Sequence, residues 1–358
     1  MKCFKAIFPA AVLLLTLSLC GCVNTAINSP QPTIYVAGVN ASGIRGSYVA
    51  TTWANGRTTA LTDGMSGSEA YSIAVSGGEV YVSGSMYNAT SGTYAATMWK
   101  NGVATALPNS RGVNNAEAFG IAVFDSDVYA TGYEYPALST VTTATFWKNG
   151  TASVLPNPTG TTQAWAEKIV VANNNVYIAG IAYNPTISAY IATIWENGGT
   201  GTALSANASI AYAIAISGSD VYVSGSTYNP ATGYYTATIW KNGVASLLPT
   251  NHAGNSFVYA IAVSGSDVYA AGYLSDATTG HEVAYSWKNG ASTALPADAS
   301  NDAAASAIAV YGNDVYAAGY EWDATKNNVV ACYWKNGATA VEVSDGTVEA
   351  WAESIFVQ

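Results

Sequence analysis

From residue 34 onward, apolar or aromatic side chains alternate with small polar ones in short runs separated by Gly, Asn, Asp and Ser. A representative unit, Ala211 to Thr250, reads AYAIAIS, GSD, VYVSGSTY, NPATG, YYTATIW, KNG and VASLLP. Alternation over such short runs predicts strands and not helices. The four apolar runs are therefore strands, designated A to D. Their separators carry turn chemistry. Asn242-Gly243 tolerates positive φ at both central positions of a type I′ hairpin, and Ser217-Gly218-Ser219-Asp220 serves the A–B connection.

The unit recurs seven times. Trp53, Trp99, Trp147, Trp195, Trp240, Trp287 and Trp334 are spaced by 45 to 48 residues, each with Ala three positions before it and Asn-Gly two positions after it. In phase with them, Tyr35, Tyr81, Tyr129, Tyr177, Tyr222, Tyr269 and Tyr316 each precede a Gly by three residues. Four strands per repeat of this length predict an all-β fold, a seven-bladed β-propeller with four antiparallel strands per blade. The first repeat begins at strand B, Ile34 to Gly38, and the chain finishes on a strand A, Glu353 to Val357. The C-terminal strand A should thus join the N-terminal strands B, C and D, closing the ring without a free edge. The repeated Trp and Tyr are read as core, with each large ring on strand C meeting small residues of strand A in the neighbouring blade.

Composition refines this picture. Only 9% of the 358 residues are charged and the net charge is −10, with no basic run. That argues against a nucleic-acid partner and against electrostatic docking on an anionic bilayer. The segment before the repeats has a different character. Lys2 and Lys5 precede the apolar stretch Ala6 to Leu19, which is short for a membrane span. It ends in Leu19-Cys20-Gly21-Cys22, which resembles a bacterial lipobox. The resemblance implies a signal peptide over 1–21, a lipid anchor on Cys22, a short tether over 22–33 and a propeller over 34–358. It also implies a cell-envelope location at the outer membrane or cell surface, with the lipid as membrane partner. Cys3 and Cys20 would leave with the signal, so Cys332 has no disulfide partner and is read as a small core residue.

The motif Ala237-Thr238-Ile239-Trp240-Lys241-Asn242-Gly243, with Ala260-Ile261-Ala262-Val263 after it, resembles bacterial extracellular repeats of the HAF type. The likeness implies an extracellular propeller and transfers no catalytic residue. The Ser-x-Asp-x-Gly-x-Thr-Trp box of sialidase-like propellers is absent.

Residues common to all repeats build the ring, so residues that break the repeat are the candidates for function. The long B–C and D–A loops share one face, since strands alternate in direction, and variable loops on a rigid frame commonly carry binding. Trp165 and Trp351 stand at the entry to strand A, where two other blades have Glu69 and Glu117. Glu167 and Glu353 follow two residues later, in register with Tyr71, Phe119, Tyr212 and Tyr259. Trp322 ends strand B, in register with Tyr87, Tyr135, Tyr183 and Tyr228. Aromatic faces beside carboxylates suit a sugar, a cationic group or a peptide. The first reading is a monomeric binding propeller for a glycan or a protein. An equal structural reading has the Tyr residues bracing their loops and the Glu residues solvated. Paired carboxylates such as Glu117 and Glu167 leave open a carbohydrate-active enzyme. A purely structural scaffold is the third alternative. His252 and His281, both in long loops, do not form a metal-ligand pattern, and no cofactor motif occurs.

Overall fold

A computed structural model describes residues 31–42, 47–110, 115–135, 141–249, 254–276, 278–297 and 301–358. The signal segment and Cys22 lie outside the described residues. Pro32 to Gln358 form one compact unit. It consists of seven four-stranded antiparallel sheets, each a blade. Blade five is typical, with strand A at Ser209–Ser217, B at Asp220–Asn229, C at Tyr234–Lys241 and D at Val244–Leu247.

Blade one is the composite that the sequence predicts. Its strands B, C and D are Ile34–Ala41, Tyr48–Ala54 and Arg57–Ala60, and its strand A is Ala350–Val357. Both closing strands run three residues further than their apolar cores suggest, Ile34 pairing with Val357 and Asn40 with Ala350. Thr33 and Gln358 exchange backbone hydrogen bonds beyond this ladder, at 2.7 and 3.1 Å. The strands A of successive blades touch around the whole circle, so the seven sheets form a closed propeller.

The repeated motifs account for the joints between blades. All seven repeated Trp are at most 1% exposed. Each shares a buried cluster with the repeated Ala of strand C in the preceding blade. Trp99 clusters with Ala50, Trp147 with Ala96, Trp287 with Ala237 and, across the closure, Trp53 with Ala331. Strand A contributes small residues from both sides: Ala118 belongs to the same blade as Trp147, whereas Ala213 and Ala307 come from strand A of the blade preceding Trp287 and Trp53. The neighbour's small surface, expected from strand A alone, thus comes from strand C as well. Strand C of each blade faces strand A of the next, which brings the strand-C Ala and the next blade's strand-A residues and Trp into one cluster. Leu-Pro after strand D seals the joint. Leu155 donates its N–H to the Ala144 carbonyl at 2.8 Å, and the Trp195 indole N–H donates to the Pro156 carbonyl at 2.9 Å.

Asn-Gly does more than turn the chain. Asn242 has φ 49° and Gly243 φ 79°, as a type I′ turn requires. The Asn242 side chain also accepts the N–H of Val221 at 2.8 Å, and every blade repeats this bond, with Asn55, Asn101, Asn149, Asn197, Asn289 and Asn336 as the acceptors. The side chain thus ties the C–D turn to the start of strand B. Cys332 is fully buried, as expected of a core residue.

One departure from regular pairing recurs in all seven blades. Strand A carries a β-bulge, in blade five at Tyr212 between Ala211 and Ala213. The bulge presses the preceding strand-A carbonyl against the Gly of strand B. A Cβ added to Gly225 would overlap the Ile210 carbonyl oxygen, and the equivalent glycine of every other blade is confined in the same way. The Tyr-x-x-Gly repeat is therefore the mark of the bulge.

Two substitutions separate these glycine roles. Gly225→Ala should destabilise by roughly 3 kcal/mol or more, because backbone meets the new methyl and neither strand can yield. Gly243→Ala, strained only by its φ, should cost about 1–2 kcal/mol. Urea unfolding of the two variants measures the difference. Removing 350–358 should lower the unfolding midpoint further still, since it strips blade one of its inner strand.

Candidate functional site

The bulge decides which side chains reach the axis of the ring. An extra residue on strand A has no partner on strand B, so its side chain leaves the blade-to-blade contact and turns toward the centre. The seven bulged residues are Tyr71, Phe119, Glu167, Tyr212, Tyr259, Ser306 and Glu353. All seven line one central cavity of about 360 Å³, joined there by Lys168 and Tyr320. The bulge lies in the first half of strand A, so the cavity opens toward the face that carries the D–A loops. Neighbouring positions repeat closely, but these seven comprise four rings, two carboxylates and a hydroxyl.

Lys168 follows the bulge of blade four, where other blades place Ser72, Gly120, Ala213, Ala260, Ala307 and Ser354. Its Nζ donates to the carbonyls of Tyr71 at 3.1 Å and Phe119 at 3.2 Å. Strand A is the inner edge of each sheet and has no further strand to pair with. The ammonium therefore bonds backbone acceptors that no sheet satisfies. Burial pushes the Lys168 ammonium down from its usual range, opposed by the charges of Glu353 and Glu167. Burial pushes the Glu167 carboxyl up to about 7, with Lys168 opposing the rise and Glu117 adding to it. Glu353 is raised for the same reason, again opposed by Lys168. Among the described residues, neither carboxylate accepts a hydrogen bond or forms a close ion pair.

The mouth of the cavity holds the residues two places before the bulge. Glu117 accepts hydrogen bonds from Tyr71 Oη at 2.8 Å and Tyr133 Oη at 2.6 Å, so its carboxylate is engaged within the protein. Glu69 is raised by burial, with Tyr71 opposing and Glu117 adding to the rise. Trp165 stands 4.9 Å from Tyr190 and 6.3 Å from Tyr133, continuing an arc of rings through Phe119 to Tyr71. A second arc spans blades five and six, with Tyr212 against Tyr259 at 4.8 Å and Phe257 stacked on Tyr235 at 5.6 Å. Trp351 meets only Tyr48 among these ring contacts, edge-on at 5.9 Å.

The structure thus brings Glu167 and Glu353 into the cavity and places Trp165, Trp351, Glu69 and Glu117 above it. It does not bring Tyr87, Tyr135, Tyr183, Tyr228 or Trp322 there, although Tyr320, also on strand B, lines the cavity. Tyr87, Tyr183 and Tyr228 pack edge-on against Tyr94, Tyr190 and Tyr235, their direct cross-strand partners, at 5.2–5.5 Å. Tyr135 packs against Tyr133 at 5.5 Å. Cross-strand ring pairs of this kind stabilise the ends of their hairpins; Tyr228 and Tyr235 also line a separate pocket of about 400 Å³ with Ile187 and Pro230. Trp322 pairs with Val329 at the end of its hairpin and does not line the cavity. His281 lies 3.1 Å from Asp302 through Nδ1, and His252 falls outside the described residues. Among the described residues, no group of three or more His, Cys, Asp and Glu is placed to hold a metal ion.

Sequence reasoning missed Lys168, Ser306 and Tyr320. Lys168 was detectable as the one long cation at a repeat position that otherwise holds only small residues. Tyr71, Phe119, Tyr212 and Tyr259 look like repeated core aromatics in the sequence, because a one-residue bulge leaves the alternation around it undisturbed.

No protein-family model and no curated protein matches the chain. Solved structures do resemble it. The computationally designed Ika8 protein aligns at TM-score 0.45 and 16% identity, over 88% of this chain and 96% of that one. TolB from Acinetobacter baumannii aligns at 0.44 and 10% identity, over 71% of this chain and 60% of that one. An acylaminoacyl peptidase from Pyrococcus horikoshii aligns at 0.44 and 12% identity, over 76% and 45%. This chain therefore spans less than two thirds of the length of either natural protein. By its own strands, it is a seven-bladed β-propeller with a central cavity of rings and carboxylates.

Lys168→Met keeps the length of the side chain and removes its charge. The Tyr71 and Phe119 carbonyls then lose their donor, at a cost of about 1–3 kcal/mol. The loss should be larger at pH 8 than at pH 5. In the unsubstituted protein Glu167 ionises near 7 with Lys168 opposing the rise, and without that ammonium its carboxyl rises further. At pH 8 the variant therefore lacks an attraction that the unsubstituted protein has, whereas at pH 5 Glu167 is protonated in both. Denaturant unfolding at the two pH values measures both numbers.

Proposed function

We propose that this chain is a binding propeller of the bacterial cell envelope whose central cavity seats the end of a glycan. The observation that carries the reading is the set of seven bulged side chains. A scaffold that repeats its Trp, Ala, Asn and Gly in every blade places four rings, two carboxylates and a hydroxyl at the bulged position, and all seven line the central cavity. A cavity of about 360 Å³ falls in the range of small-molecule pockets, whereas a protein–protein interface of ordinary size covers roughly 800 Å² per partner. Rings set at angles around it offer surfaces for the C–H faces of a sugar, and Glu167 and Glu353 retain hydrogen-bond capacity for its rim. The lipobox-like Leu19-Cys20-Gly21-Cys22 supports anchoring through Cys22.

A glycan array tests the site. Trp165→Ala and Tyr259→Ala should each lower retention by about ten-fold, the effect of roughly 1.4 kcal/mol, without altering the circular dichroism spectrum. Retention equal to that of the unsubstituted protein would place the site elsewhere. Cys22→Ser should shift the protein from the membrane to the soluble fraction and abolish labelling by a fatty-acid analogue.

A second reading draws on Glu167. A carboxyl held near 7 by burial suits a general acid, and Glu353 in the same cavity supplies a second carboxylate for glycoside cleavage. Release of reducing ends from a retained glycan, abolished in Glu167→Gln, would favour it; retained glycans that stay intact would remove it.

A further inference from the structure

We infer that the group seated in the cavity is cationic, a free amino group on a sugar ring, held between Glu167 and Glu353 and enclosed by Tyr71, Phe119, Tyr212 and Tyr259. The inference rests on the glycan reading and names the chemistry that the site selects.

Charge inside the cavity is the first reason. Glu167 and Glu353 line its wall, with Glu69 and Glu117 above them, and Lys168 is the single cation among its lining residues. That ammonium is committed to two backbone carbonyls. The two lining carboxylates are left without a hydrogen-bond donor or close ion pair among the described residues, in a place where burial already disfavours their charge. An ammonium group arriving there gains charge-assisted bonds that a neutral hydroxyl cannot match, and an anion would meet repulsion.

Placement around the ring is the second reason. Glu167 belongs to blade four and Glu353 to blade one, three steps apart in a ring of seven, so a group that touches both sits near the axis. Lys168 reaches back to the carbonyls of blades two and three, which leaves the side of blades five to seven open. Tyr212, Tyr259 and Tyr320 stand on that side, and Tyr71 and Phe119 on the other. Aromatic faces attract a cation through their quadrupole, most strongly where water is excluded.

The test uses two oligosaccharides that share ring and linkage and differ in charge: a hexamer of β-1,4-linked glucosamine and its fully N-acetylated counterpart. Calorimetric titration of the full propeller at low ionic strength should show the amine form binding about ten-fold tighter or more, the equivalent of roughly 1.4 kcal/mol. Glu167→Gln and Glu353→Gln should each reduce that preference, and the double variant should abolish it. Unchanged thermal unfolding would show that the fold survives these substitutions. Equal affinity for the two hexamers, or a preference that persists in the double variant, would overturn the inference. If neither hexamer binds and the array retains only neutral glycans, the amine is wrong and the glycan site stands. If the array retains nothing, the glycan reading fails and the inference fails with it.

Discussion

The packing of one indole against one alanine of the preceding blade, repeated seven times and closed between Trp53 and Ala331, is the contact on which the ring depends. Ring against methyl makes a wedge at each joint, and the same wedge recurs in every cluster around the circle. At three joints the indole N–H of Trp147, Trp195 or Trp334 donates across to the carbonyl of the Pro that follows strand D of the preceding blade. Closure by the C-terminal strand gives the last wedge a partner. Without it, two blades would present an unpaired edge and an uncovered face together.

The same regularity creates the site. The residue just before the bulge, Ala in six blades and Val258 in the other, is fully buried between blades and varies little. The bulge removes one residue per blade from that duty, and the strand-B glycine makes the bulge sterically possible. The seven released positions bear on the cavity and not on the joints. Two carboxylates and four rings occupy them without disturbing the indole–alanine contacts. Blade packing and the cavity lining thus use different residues of the same strand.

Lys168 links the two. It satisfies carbonyls on the inner edges of blades two and three, a structural task, and its charge opposes the rise of Glu167 and Glu353, which tunes the site. A small residue at that position, as in the other six blades, would leave those carbonyls to water and the carboxylates without a nearby cation.

Sequence by itself determined the number of blades, the four strands in each and the offset that closes the ring. The motifs Trp-x-Asn-Gly and Tyr-x-x-Gly recur in phase, and a period in sequence becomes a rotation in space. It also separated Trp165, Trp351, Glu167 and Glu353 from the scaffold, because they break the repeat. It set Tyr71, Phe119, Tyr212 and Tyr259 in register with the two carboxylates but could not show that this position turns into a cavity. Nor could it show that Trp322, Tyr87, Tyr135, Tyr183 and Tyr228 stay outside that cavity while Tyr320 of strand B lines it. Those assignments depend on the bulge, which shifts the pairing of one strand by one residue and leaves no mark in the alternation of side chains. Only the tertiary structure decides them, since the direction of a side chain at a bulge is set by the carbonyl and glycine of two strands pressed together, and no single run of residues records that contact.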